Sequence, residues 1–184
     1  MRVLIIGGGI GGLTLALMLH ARGIRPRIVE AAAEIRPLGV GINVQPSAVA
    51  ELAMLGLLDR LDAIGVRTAA VGYYNRHGQH IWTEPRGLDA GYAVPQFSIH
   101  RGRLQMMLFD VARERLGGEA IGCGIEALSA QPDDGRVRLR RRADGSVHDE
   151  QYELVVGADG IHSAIRRQFY PDEGPPCFSG RILW

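Results

Sequence analysis

The chain has 184 residues, a formal net charge of +1 at pH 7, 46% hydrophobic residues and two cysteines. That length suits one domain, or one with a small insertion, and allows a sizeable core. The near-neutral charge draws the chain neither to nucleic acid nor to an anionic membrane surface, and no apolar run is long enough to span a bilayer.

Val3-Leu4-Ile5-Ile6 is a short apolar run suited to a buried strand. It leads into Gly7-Gly8-Gly9-Ile10-Gly11-Gly12, which fits G-x-G-x-x-G with Gly7, Gly9 and Gly12 in the key places. Gly7 permits a tight turn, Gly9 lets a pyrophosphate approach the backbone, and Gly12 lets a helix pack close to the strand. A helix over 13–22 then points its free N–H groups and positive dipole end at that anion. Gly23 is its natural stop. Arg27-Ile28-Val29-Glu30 supplies a second strand, parallel to the first by the right-handed crossover rule. Glu30 lies about 20 residues past the turn, where a carboxylate accepts ribose hydroxyls. A glycine turn alone is weak evidence, but strand, turn, helix and acid in this order point to a dinucleotide site. Its candidates are Gly7, Gly9, Ile10, Gly11, Gly12, Glu30 and the adjacent Ala31. No signal peptide is expected, because the fold begins at Val3. Cys123 and Cys177 read as reduced thiols of a cytoplasmic protein.

Residues 36–43 read as a loop without periodicity, and its glycines allow backbone to lie close to something flat or bulky. Arg36 suits a phosphate contact and, equally, a solvated loop. Pro46 opens a helix that Gly56 ends, and a shorter helix over 57–64 follows. Residues 71–74 and 80–83 read as strands around a turn at His77-Gly78, the start of an antiparallel, substrate-facing insertion. His77 and His80 lack a partner pattern for a metal site and read as solvated. Residues 84–92 read as loop.

A strand over 96–100 leads into a helix over 101–116 with Leu104, Met107, Leu108 and Val111 as its stripe. Arg101 and Gln105 lie one turn apart at its start, as a surface polar pair or as a clamp on a ligand. A short parallel strand is expected at 119–122, then an antiparallel meander over 125–130, 137–142 and 146–149. Arg136, Arg138, Arg140 and Arg142 alternate with Val137, Leu139 and Arg141, so they line a solvated face. No aromatics interleave, so that face does not read as a nucleic-acid site.

Residues 152–156 read as a last buried strand, followed by Gly157-Ala158-Asp159-Gly160-Ile161-His162-Ser163. Ser163 can cap the next short helix. Asp159 falls at a strand's carboxyl end, where open α/β sheets bind ligands. His162 reads as structural. No catalytic acid, base or nucleophile and no metal set stands out.

Taken together, these stretches resemble the class A flavoprotein monooxygenases, the aromatic-ring hydroxylases. The Gly7–Gly12 turn with Glu30 is one shared motif. Val155-Val156-Gly157-Ala158-Asp159-Gly160, with His162, Ser163 and Arg166, looks like the family's Asp-Gly motif. Residues 34–46, 84–87 and 98–106 are similar to the phenazine-modifying branch. The resemblance implies FAD and NAD(P)H as cofactors, with Glu30 on the adenosine ribose and Arg101 and Gln105 on FAD. It places Gly39, Val40, Gly41 and Ile42 along the isoalloxazine, and adds Ala31, Arg36, Ile125, Asp159 and Gly160 to the cofactor set. It implies O2 and a flat, electron-rich aromatic, phenazine-like in the branch it resembles, as substrates, hydroxylated through a flavin C4a-hydroperoxide.

The expected fold is therefore α/β: a Rossmann-like FAD-binding parallel sheet with helices, a small antiparallel meander and the start of an antiparallel substrate region. The expected division is 1–66 and 101–176 for FAD binding, with the meander at 124–150. Residues 67–100 begin the substrate insertion and 177–184 begin a further sheet. The chain ends on Arg181-Ile182-Leu183-Trp184 without the family's second, Gly-Asp-Ala-Ala-His-like motif, so it is expected to be incomplete at the C-terminus. Two other readings stand beside the monooxygenase: a non-catalytic nucleotide-binding module and an NAD-linked dehydrogenase. The second is disfavoured by the Asp159 motif.

Overall fold

The computed structural model describes residues 1–180. The first elements are β1 (Val3–Ile6), α1 (Ile10–His20), β2 (Arg27–Glu30), β3 (Gly41–Val44), α2 (Pro46–Met54) and α3 (Leu58–Ile64). Next come β4 (Gly65–Thr68), β5 (Ala70–Tyr74), β6 (His80–Pro85), β7 (Gln96–His100) and α4 (Arg101–Leu116). The remainder is β8 (Ile121–Cys123), β9 (Ile125–Ala130), β10 (Arg136–Arg141), β11 (Val147–Gln151), β12 (Leu154–Gly157) and α5 (Ala164–Phe169). They form two compact units, one of Met1–Ile35 with the residues from Arg113 onward, the other of Arg36–Ala112. These boundaries differ from the sequence division at 66/67 and 100/101. The reason is pairing: β3 and β4 both hydrogen-bond to β7, which keeps residues on either side of those boundaries together.

In the first unit a four-stranded sheet runs in the order β12-β1-β2-β8. All three pairings are parallel. β1 is apolar throughout because both its faces are covered. Leu4 and Ile6 join Val29, Ala127, Val137, Leu139 and Tyr152 in one cluster, so the meander β9-β10-β11 covers that face. Helix α1 packs on β1 and β2 and buries Gly12, Leu13, Ala16 and Leu17. It starts at Ile10, inside the glycine run rather than at 13.

Val137 and Leu139 are fully buried, whereas Arg136, Arg138 and Arg140 are exposed, as the period of two predicts. Those arginines pair with acids: Arg138 with Asp149, and Arg140 and Arg142 with Glu126. Beneath the meander, Arg27 donates to Glu150 at 2.6 Å, and Tyr152 donates to the same carboxylate at 2.6 Å. Burial pushes the Glu150 carboxyl up, but hydrogen bonds from Tyr152, Arg27 and His148 outweigh it and hold it down at about 2.

The expected buried strand at 152–156 is corrected in one respect. β12 is an edge strand, and Leu154 is 42% exposed. Apolar composition identified a strand but not its neighbours. No strand begins over 177–180, and residues 181–184 lie outside the described part.

In the second unit β3-β7-β4 form an antiparallel sheet, with Phe97 and Ile99 buried and α2 and α3 against β7. Two expected loops are partly strand: Gly41–Val44 pairs with β7, and Glu84 and Pro85 extend β6. β5 and β6 form a hairpin in which Tyr73 stacks on Trp82 at 5.6 Å. Among the described residues no helix is long and apolar enough to cross a membrane.

Candidate FAD-binding site

The carboxyl ends of the parallel strands gather the first unit's candidates. β1 ends in the glycine turn, β2 in Glu30, and β12 in the segment holding Asp159 and Gly160. β2 and β12 flank β1 on opposite sides, so the chain leaves β1 in one direction and returns on the other. Such a switch point opens the crevice in which α/β sheets hold ligands.

Gly7 has φ +113°, and its N–H donates to Val29 O at 2.7 Å. A Cβ there would lie 2.3 Å from Ala158 O, so β12's exit presses directly on the turn. A Cβ on Gly12 would lie 2.0 Å from Gly7 O, which forces glycine where α1 crosses β1. Gly9 differs. It caps α1 in extended backbone at φ −74°, without a side-chain cap, and a Cβ on it would meet no atom within 4 Å. Nothing in the chain requires glycine at position 9. A pyrophosphate at the N-terminus of α1 would, because its oxygens must reach backbone N–H groups. Ile10 and Gly11 complete that first turn, and a Cβ on Gly11 likewise meets nothing.

Glu30 is half-buried beside this turn. Its carboxylate accepts from Gly8 N at 2.8 Å and, through the other oxygen, from Ala32 N at 2.8 Å. Two backbone donors fix its orientation and leave lone pairs on both oxygens for hydroxyl donors. Ala31 follows it, half-buried. Cys123 pairs with Glu30 in the β2–β8 register. Burial, then the Glu30 charge, push its thiol up, so it is a poor nucleophile.

Asp159 accepts from Ser163 Oγ at 2.6 Å and from Ala164 N at 2.9 Å. Ser163 Oγ in turn accepts from Arg166 N at 2.8 Å, so it caps α5 as the sequence predicts. Arg166 also donates to Ile161 O at 2.7 Å, closing the turn that carries Gly160. Ile125 opens β9 and lies against Gly122, where a Cβ would come within 2.7 Å of its Cδ1.

The second unit holds the other candidates: Arg36, Gly39, Val40, Gly41, Ile42, Arg101 and Gln105. Arg101 N donates to Val40 O at 2.9 Å, bringing residues 36–40 onto the first turn of α4. Gly41 and Ile42 are held in β3 by β7. Arg101 is exposed and Gln105 half-buried. Sequence reasoning missed Gly102, on which a Cβ would lie 2.3 Å from the carbonyl carbon of Pro37. A glycine in a helix's first turn, where it weakens the helix, was the available signal. His77 and His80 are exposed and bond to Arg76 and Thr83, and no metal-holding cluster occurs among the described residues.

Comparison with known proteins shows the family. The family described as FAD binding domain matches residues 1–173. The chain belongs to that family. It is 47% identical over 174 residues to phenazine 1,6-dicarboxylic acid hydroxylase PhzS of Lysobacter antibioticus, covering 92% of this chain and 43% of the relative. It is 37% identical to aurachin C monooxygenase/isomerase of Stigmatella aurantiaca, covering 99% of this chain and 46% of the relative. Among solved structures it is similar to the tetrameric form of 2-methyl-3-hydroxypyridine-5-carboxylic acid oxygenase, with TM-score 0.76 and 29% identity over 91% of this chain and 42% of the other. The chain thus spans less than half the length of these relatives. The FAD binding domain family match covers residues 1–173 of it.

Proposed function

We propose that the chain is the N-terminal, nucleotide-holding part of an FAD- and NAD(P)H-dependent monooxygenase acting on a flat, electron-rich aromatic of the phenazine kind. The observation that carries this reading is the glycine turn. Gly7 and Gly12 are demanded by the chain's own backbone, while a Cβ on Gly9 would meet no protein atom within 4 Å, which leaves room for a pyrophosphate at the start of α1. Similarity to a phenazine hydroxylase along 92% of the chain supports the substrate class.

In this reading the first turn of α1, from Ile10 through Gly12, holds the pyrophosphate, and Glu30 accepts from the adenosine ribose. Ala31, Ile125, Asp159 and Gly160 line the same cofactor. In the second unit, Arg36, Arg101 and Gln105 are the polar side chains this reading assigns to the cofactor. Gly39, Val40, Gly41 and Ile42 lie along the flavin ring, where bare backbone allows close approach. Bound flavin supplies the redox and oxygen chemistry, while the protein orients the ring and substrate and excludes water. No side chain of this chain is assigned as acid or base.

The test is made on a chain extended to the relatives' length and loaded with FAD. It should oxidise NAD(P)H faster when a phenazine or another flat aromatic is added. No stimulation across a broad aromatic panel contradicts the proposal. FAD binding without turnover, in the extended chain as well, favours the non-catalytic module instead.

A further inference from the structure

The loop before β3 is fastened to α4 in three places, each within the second unit. The Arg101 amide donates to Val40 O at 2.9 Å. The bare Cα of Gly102 sits against Pro37, where a Cβ would lie 2.3 Å from the carbonyl carbon and 2.6 Å from its oxygen. Gly39, at φ +125°, runs under the Arg101 side chain, where a Cβ would lie 2.8 Å from Nε and 3.3 Å from Cβ.

Core packing does not account for this arrangement. Leu38 is 65% exposed, Val40 is 73% exposed, and Arg101 is exposed too. The two glycines therefore bring no apolar surface out of water. What they do is lay one cationic side chain across a backbone that has no Cβ to deflect it. The contacts differ in kind. At Gly102 the obstacle to a methyl group is backbone, so a methyl would move the loop. At Gly39 the φ of +125° already strains any other residue, and the atoms a methyl would meet are those of the Arg101 side chain, so substitution would also turn the guanidinium aside. We infer that Gly39 and Gly102 are positioning residues for Arg101, fixing the direction in which its guanidinium is offered to the cofactor. This rests on the proposed role of Arg101 above.

The experiment is a double-mutant cycle read by FAD titration of the chain extended to the relatives' length, with Gly39→Ala, Arg101→Ala and the double variant, alongside Gly102→Ala. Loss of a charge-assisted contact should weaken FAD binding about tenfold in Arg101→Ala. Gly39→Ala should weaken it by a similar factor, and the double variant should be no weaker than Arg101→Ala alone. A purely structural glycine would give additive losses, which would overturn the inference, as would unchanged affinity in Gly39→Ala. Where Gly39→Ala does not melt cooperatively, Gly102→Ala takes its place in the cycle. Without FAD, Gly102→Ala should speed hydrogen exchange of the Arg101 amide and leave later α4 amides unchanged; equal exchange contradicts the docking of the loop. An extended wild-type chain that takes up no FAD, or its Arg101→Ala variant binding FAD normally, removes the cofactor reading itself and this inference with it.

Discussion

The glycine turn after β1 and the loop before β3 both use glycine for close approach, but they approach different things. In the turn, Gly7 and Gly12 are pressed by the main chain of Ala158 and of Gly7 itself, so their role is to let the fold form. Between them Gly9 faces no protein atom. In the loop, Gly39 is pressed by a side chain and Gly102 by the loop it anchors. The lesson is local to these five positions: at Gly7, Gly12 and Gly102 a methyl group would strike backbone, at Gly39 it would strike the Arg101 side chain, and at Gly9, in backbone any residue can adopt, it would strike nothing.

Substitution should break this comparison if it is wrong. The largest effect is expected from Gly12→Ala, whose Cβ would sit 2.0 Å from a carbonyl oxygen. A destabilisation of about 3 kcal/mol or more should appear as a lost or strongly lowered thermal transition by circular dichroism. By contrast, Gly9→Ala adopts the same extended backbone without strain and should cost at most about 1 kcal/mol, the usual penalty of alanine at a helix N-cap. If the two variants melt alike, the distinction between them fails.

Acid sharpens the comparison, since it weakens the first unit without touching its glycines. Glu150 is held at about 2 in the fold, below its ordinary value. A lowered carboxyl contributes stability that is full above the unfolded value, near 4.3, and is lost as pH falls from there toward about 2. The contribution is on the order of 2 kcal/mol, since Glu150 is only 18% exposed and is little screened. Chemical denaturation at pH 6 and pH 3 should show that loss in the wild type, and Glu150→Gln should flatten it. Next in size is Ser163→Ala, which removes the α5 cap and should cost about 1 kcal/mol. The smallest effect is expected at Glu126, whose partners Arg140 and Arg142 are about half exposed. Glu126→Ala should change stability by less than about 1 kcal/mol in the same assay.

Much of the first unit was legible because its signals are local. The runs at Val3 and Arg27 are bounded by glycine and charge, and both strands have the expected limits. β7 and α4 were legible for the same reason, a short strand ending where a helical stripe begins. β4 was missed because Gly65-Val66-Arg67-Thr68 carries one apolar side chain, and Val66 is 69% exposed. Only the open edge of β7 makes that segment a strand. β3 was hidden likewise, with glycine and asparagine around Ile42. In the site, the turn at 7–12 follows from spacing, but the pressure of Ala158 on Gly7 and of Pro37 on Gly102 comes from distant chain segments. No window of sequence contains both partners of such a contact.

The most direct test of the account is one pair of FAD titrations, read by flavin fluorescence, of the chain extended to the relatives' length and of its Gly9→Ala variant, with melting measured on both. The account predicts that the wild type binds FAD, that Gly9→Ala binds it at least about tenfold more weakly because its methyl group meets the pyrophosphate, and that the variant loses at most about 1 kcal/mol of stability. Equal affinity of the two chains for FAD would contradict it.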